Sequence, residues 1–176
     1  MSRVLPRQPV PELVAPTLSG TTWSLAAASP QRFSLVVFYR GLHCPACTTY
    51  IAELDKLVPE FATRGVETIA LSCDTESRAR QAQTSWGLSQ LNLGHSLTIG
   101  TARSWGLYIS TGRGMTSAGV EEPSLFSEPG LFVVRADHTL YLASVQSMPF
   151  ARPHLRDVVA ALDFVIAKDY PARGEA

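Results

Sequence analysis

Residues 33–47 read Phe33-Ser-Leu-Val-Val-Phe-Tyr-Arg-Gly-Leu-His-Cys-Pro-Ala-Cys47, and this stretch decides the fold. Leu35 to Tyr39 is a continuous apolar, β-branched and aromatic run, the pattern of a strand covered on both faces. Arg40-Gly41 ends it. Apolar side chains then recur at helical spacing, at Tyr50, Ile51, Leu54, Leu57, Val58 and Phe61, which predicts a helix over residues 44–63. Cys44 and Cys47 therefore stand at a helix N-terminus, where unpaired N–H groups and the positive dipole end favour a thiolate. Redox or metal chemistry is expected here.

Working outward, Pro6, Pro9, Pro11 and Pro16 make residues 1–16 an extended arm over the surface. Thr17 to Leu25 alternates around Ser19-Gly20, a hairpin signal, and Ala26 to Pro30 suits a short helical turn. After the cysteine helix, which Pro59 should bend near Asp55, Gly65 to Ser72 reads as a second buried strand. Asp74 or Thr75 can cap the next helix, with Ala79, Ala82 and Trp86 facing inward. Leu93 to Ile99 suggests a short strand, and Thr101 starts a brief helix holding Trp105. Residues 108–128 have weak periodicity and read as one long loop of the kind that carries function or motion. Gly130–Val134 and Thr139–Gln146 form an antiparallel pair around a turn at 136–139. Pro153 opens a last helix with a core stripe at Leu155, Val158, Val159, Leu162, Val165 and Ile166, leaving 169–176 as a tail. This order predicts one α/β domain over residues 1–176, a mixed sheet flanked by helices as in the thioredoxin-like fold, with a reactive pair at the carboxyl end of a central strand.

Composition narrows the chemistry. Fifteen basic and fifteen acidic residues cancel, and no Lys/Arg cluster interleaves with aromatics, so nucleic acid is not the expected partner. Charged residues are 17% against 45% hydrophobic, which suits much buried sheet. No stretch suits a membrane span, and the first residues lack the apolar core of a secretory signal, which points to the cytoplasm. Three cysteines with two in one C-x-x-C do not make a disulfide framework. A structural zinc needs four ligands, and no second Cys/His pair has that spacing. Neither a phosphate-binding loop nor a nucleotide fingerprint occurs. The expectation is no bound cofactor or metal, and electrons from an external thiol donor such as a thioredoxin or glutathione system.

The segment Phe38-Tyr-Arg-Gly-Leu-His-Cys-Pro-Ala-Cys47 resembles the Y-R-G-x-x-C-P-x-C segment of peroxiredoxin-like proteins of the alkyl hydroperoxide reductase and thiol-specific antioxidant (AhpC/TSA) grouping. The resemblance continues through Val66–Asp74, Gly130–Asp137 and Ser144–Pro149, and it implies a peroxiredoxin-like variant of the thioredoxin fold with antioxidant activity. It departs from the peroxiredoxin signature P-x-x-x-T-x-x-C, which is followed by an Arg just before the G-L-F strand. Here Arg40 stands for the Pro, Cys44 for the Thr, Cys47 for the peroxidatic Cys, and Pro129 for the Arg. A C-x-x-C with a Pro before an antiparallel strand is instead the thioredoxin arrangement. That analogy makes Cys44 the attacking thiolate and Cys47 the resolving thiol. It also implies a cis Glu128–Pro129 bond facing Cys44; a trans bond would remove the analogy and return the argument to Cys47. The peroxiredoxin alignment makes Cys47 the attacker and Cys44 the resolving thiol.

Around the pair, His43 offers an imidazolium to lower a thiol pKa, or is a surface loop residue. Arg40 offers a charge to thiolate or substrate, or pairs with Glu53 or Asp55. Cys73 reads as a buried structural thiol, with a third redox role as the alternative. His95, His138 and His154 read as turn or surface residues, and Trp23, Trp86 and Trp105 as core. Three functions stay open: an oxidoreductase cycling Cys44/Cys47 between dithiol and disulfide to reduce a disulfide or peroxide; a peroxidase working through Cys47; and a non-catalytic redox sensor with 108–128 as its contact surface. A homodimer is left open.

Overall fold

The computed structural model describes residues 4–176; the first three residues of the arm lie outside it. The central strand is β3 (Phe33–Phe38), and all six of its residues are buried. The N-terminal hairpin pairs β1 (Val14–Pro16) with β2 (Thr22–Ser24), so the arm's last residues already belong to a strand. β4 (Val66–Leu71) and β5 (Asn92–Gly94) lie on one side of β3, and β8 (Gly130–Arg135) and β9 (Leu140–Val145) on the other. The sheet order is β5-β4-β3-β8-β9, with β3, β4 and β5 parallel and β8 and β9 antiparallel. This is the mixed sheet expected, in the thioredoxin-like arrangement with its N-terminal hairpin.

Alternation along β3 divides the interior in two. Leu35, Val37 and Tyr39 face a cluster built on α1 (Pro45–Thr63), with Ile51, Leu54, Leu57 and Phe61, and on α4 (Leu155–Lys168), with Leu155, Val158, Val159 and Leu162. Val36 and Phe38 face the opposite cluster, where Trp105 and Phe132 meet edge-on at 4.9 Å between ring centres beneath the N-terminal hairpin. The arm follows the outer edge of β9: Arg7 donates its N–H to Leu140 O, and Leu140 donates back to Gln8 O.

α1 continues through Pro59 as one helix. Several local expectations are corrected. Pro153 does not open α4; His154 is its N-cap. Thr75, not Asp74, caps α2 (Glu76–Ser85) by accepting the Arg78 N–H. Of the 93–99 stretch only Leu93 and Gly94 pair in the sheet, as part of β5, and Thr98 already caps the short α3 (Ile99–Ser104). Residues 108–128 are not one open loop: β6 (Ile109–Thr111) and β7 (Leu125–Ser127) pair antiparallel. The alternation there is only three residues per strand, too short to stand out in sequence.

Asp55 ties the cysteine helix to the rest. It is 5% exposed, and its Oδ1 accepts the N–H groups of Ser89, Gln90 and Leu91 at 2.8–3.0 Å. Asp55→Ala removes the shared carboxylate acceptor and leaves the buried Leu91 N–H without its partner, with Ser89 and Gln90 at the water-facing rim. The expected loss of unfolding free energy is about 3 kcal/mol, read from urea midpoints at constant m-value.

Candidate active site

The chain leaves β3 at Tyr39 and must turn at once to start α1. Gly41 takes φ +130°, and a Cβ built there would lie 2.6 Å from Asp74 Oδ2, so only glycine fits without displacement. Asp74 is buried three residues beyond the end of β4. Its carboxylate accepts the Leu42 N–H at 2.7 Å and pairs with Arg78 Nε at 2.7 Å. The turn closes with the Cys44 N–H donating to Gly41 O at 3.1 Å. Cys44 thereby becomes the N-cap of α1, with Pro45 at N1, a favoured place for a residue without an N–H. Cys47 follows one turn inside.

The two sulfurs are 2.6 Å apart, with the Cys47 thiol donating to Cys44. Both residues are buried, Cys44 at 1% and Cys47 at 0% exposure. The Arg152 guanidinium caps them: Nη2 is 3.1 Å from Cys47 Sγ and 3.8 Å from Cys44 Sγ. It lies 4.9 Å over the Tyr50 ring. No sequence signal marked Arg152, which sits in an irregular segment more than a hundred residues along the chain.

Cys44 is the acidic thiol, lowered to about 6. The hydrogen bond from Cys47 contributes most, and the charges of Arg152 and Arg40 add to it against the opposing effect of burial. Burial pushes the Cys47 thiol well up, and the neighbouring Cys44 raises it further. Distance to Arg152 alone would favour the anion on Cys47. The deeper burial of Cys47 and its donated proton favour Cys44 instead, and the pair carries one shared negative charge.

The other expected residues are placed differently. His43 is fully buried, edge-on to Phe126 at 4.5 Å, with both ring nitrogens lacking a protein partner among the described residues. Desolvation lowers it to about 4, so near neutrality it is uncharged and supplies no imidazolium to the thiols; nor is it a surface residue. Arg40 pairs with Glu122 and Glu128, each at 3.3 Å, rather than with Glu53 or Asp55, and packs 4.7 Å from the Phe126 ring centre. The Glu128–Pro129 bond is trans, which removes the thioredoxin-type cis turn. Pro129 instead lines a small niche with Tyr50, Gln146 and Arg152. Cys73 packs against the cluster opposite to the one holding Cys44 and Cys47, 3.8 Å from Ser127 Oγ, and burial raises its thiol. His95 is buried, 3.0 Å through Nδ1 from Ser96 Oγ, rather than at the surface. Trp23 and Trp105 are core; Trp86 is half-buried.

A thiol lowered to about 6 is mostly protonated below that pH and mostly thiolate above it. Alkylation of Cys44 by iodoacetamide is therefore expected to rise about tenfold per pH interval up to that midpoint and level off above pH ~7. In Arg152→Met the midpoint moves upward, because a cation beside the anion is lost. Site-resolved mass spectrometry across pH 4 to pH 9 measures both.

Among the described residues, no group of three or more His, Cys, Asp or Glu is placed to hold a metal, and no helix is long and apolar enough to cross a membrane. No curated protein sequence matches the chain. Solved structures share its shape. Peroxidoxin BcpB from Mycobacterium tuberculosis superposes with a TM-score of 0.71 at 19% identity, over 93% of this chain and 99% of that one. The mitochondrial 2-Cys peroxiredoxin of Plasmodium falciparum gives 0.73 at 18%, over 94% and 96%. AhpC of Mycobacterium tuberculosis gives 0.72 at 16%, over 96% of each. At such identities these likenesses speak for the fold. The AhpC/TSA family model matches residues 6–143, most of the chain. With that match over a peroxiredoxin-like fold, the chain belongs to the AhpC/TSA family and is a thiol-dependent redox enzyme of the peroxiredoxin kind.

Proposed function

We propose that the Cys44/Cys47 pair reduces a small hydroperoxide, with Cys44 as the attacking thiolate and Cys47 as the resolving thiol. The observation that carries this reading is two sulfurs 2.6 Å apart, buried together under the Arg152 guanidinium. Cysteines with at most 1% exposure suit a substrate of few atoms better than a protein disulfide. The trans Pro129 removes the peptide-docking groove that the thioredoxin analogy required. It also removes the sequence ground for Cys44 as attacker; what supports Cys44 is its place as N-cap at the outer end of α1 and the hydrogen bond its sulfur accepts from Cys47.

The Cys44 thiolate attacks one peroxide oxygen, the O–O bond breaks, and the other oxygen leaves as alkoxide or hydroxide, taking up a proton. Cys44 is then a sulfenic acid. The Arg152 guanidinium, 3.8 Å from Cys44 Sγ and 3.1 Å from Cys47 Sγ, is a preorganised cation for the negative charge that develops on the departing oxygen. The Cys47 thiol attacks the Cys44 sulfur, water leaves, and a disulfide remains. An external dithiol, from a thioredoxin or glutathione system, restores the pair by transferring two electrons and two protons. A cytoplasmic setting, where such donors keep thiols reduced, suits the cycle. Arg40 and His43 support the loop without touching substrate.

A second reading, with Cys47 as attacker, is favoured by its 3.1 Å contact with Arg152 and by its alignment with the peroxidatic position. Single variants separate the two. In Cys47→Ser treated with one equivalent of hydrogen peroxide, a cyclic diketone sulfenic-acid probe is expected on Cys44, while Cys44→Ser stays unlabelled and consumes peroxide at least ~100-fold more slowly. Labelling of Cys47 in Cys44→Ser at the faster rate reverses the assignment. Thiol loss faster with an oxidised peptide than with peroxide would replace the peroxidase reading with disulfide reduction.

A further inference from the structure

Arg152 is held at the sulfurs without a carboxylate beside it. Its Nη2 meets Cys47 Sγ at 3.1 Å and Cys44 Sγ at 3.8 Å, while Nε and Nη1 are buried and have no protein partner among the described residues. No acidic side chain pairs with it among those residues. Its immediate chain neighbours do not fix it either, since Phe150 and Ala151 are exposed. What remains is Tyr50. The guanidinium carbon lies 4.9 Å from the centre of the Tyr50 ring, and the Tyr50 hydroxyl donates to Pro153 O, one residue along, at 3.0 Å. Tyr50 follows Cys47 by three residues on α1, so the two side chains are neighbours on one helix face. The helix that carries the sulfurs thus also carries the surface against which their cation rests.

An aromatic partner does something a carboxylate does not. Arg40 shows the contrast: it packs on the Phe126 ring, but Glu122 and Glu128 also pair with it and offset its charge. A ring attracts a cation through its quadrupole and carries no net charge, so it orients the cation and leaves the charge undiminished. Burial pushes the Tyr50 phenol above its ordinary value, which keeps it a neutral donor and adds no anion to compete with the thiolate. We propose that Tyr50 is a positioning residue for the reaction: its ring face fixes the Arg152 guanidinium on the Cys44/Cys47 sulfurs while leaving the full positive charge to the sulfur anion. Tyr50 acts through Arg152, and its effect is read in the acidity of the pair. This inference rests on the contact between Arg152 and a thiolate that the proposed function uses, but not on peroxide as substrate.

Site-resolved alkylation of the reduced, intact chain by iodoacetamide across pH tests it. In Tyr50→Leu the Cys44 midpoint is expected to rise by ~0.5 pH unit or more, in the direction of Arg152→Met, because the guanidinium loses its alignment. Tyr50→Phe keeps the ring and is expected to hold the midpoint near that of wild type. Added to Arg152→Met, Tyr50→Leu is expected to cause no further rise, since no cation is left to position. Should Tyr50→Leu fail to fold, phenylalanines carrying one, two or three ring fluorines at this position keep the shape and drain the negative ring face. The midpoint is then expected to climb with each fluorine. A wild-type midpoint in Tyr50→Leu, or a flat fluorine series, overturns the proposal. So does a Tyr50→Leu rise of equal size with and without Arg152, which would make Tyr50 a packing residue. A rise in Tyr50→Phe as large as in Tyr50→Leu also overturns it, by assigning the effect to the hydroxyl. An unmoved midpoint in Arg152→Met itself overturns both this inference and the cation–thiolate contact beneath it. Midpoints that move as expected in a protein that does not consume peroxide support the positioning role and overturn only the choice of substrate.

Discussion

The structure depends on one constraint: β3 has no surface of its own. All six residues are buried, with β4 hydrogen-bonded along one edge and β8 along the other. A strand enclosed in this way can leave the sheet only at its ends, and at its carboxyl end it must turn within a few residues into a helix. The turn is dictated by Gly41, by the Asp74 carboxylate under Leu42 and by the rigid Pro45. Cys44 and Cys47 fall on the first turn of that helix, where they face the core while their amides meet the helix dipole.

Charge is distributed around this corner with some economy. Arg152 faces the thiols, whereas Arg40, closer in sequence, is occupied by Glu122 and Glu128 from the β6–β7 hairpin. Asp74 is matched by Arg78 four residues later and by a backbone N–H, so its charge supports the turn. His43, enclosed beside Phe126 without a partner among the described residues, stays neutral and acts as packing. The acidity of Cys44 therefore comes from its partner thiol and from a cation delivered by distant chain, rather than from the imidazole beside it.

Local sequence determined what local physics controls. The apolar run of β3, the 3.6-residue stripes of α1 and α4, the Gly-Leu-Phe-Val-Val strand and the C-x-x-C at a helix start were legible because each is set by backbone periodicity and burial over contiguous residues. The family match over residues 6–143 agrees with that reading. What failed was whatever depends on which distant residue arrives. Its place beside the cysteines left His43 as either an imidazolium or a surface loop residue, but it is buried against Phe126. Nothing near Arg40 in sequence pointed to Glu122 and Glu128, and the three-residue pairings of β6 and β7 left no periodic trace. Pro129 looked like a cis proline because its neighbours fit a pattern, yet isomer state is chosen by tertiary packing. Arg152 was invisible for the same reason: an arginine in a segment without periodicity carries no sign of what it touches, and only the assembled sheet, with α4 packed behind it, puts that guanidinium on the sulfurs.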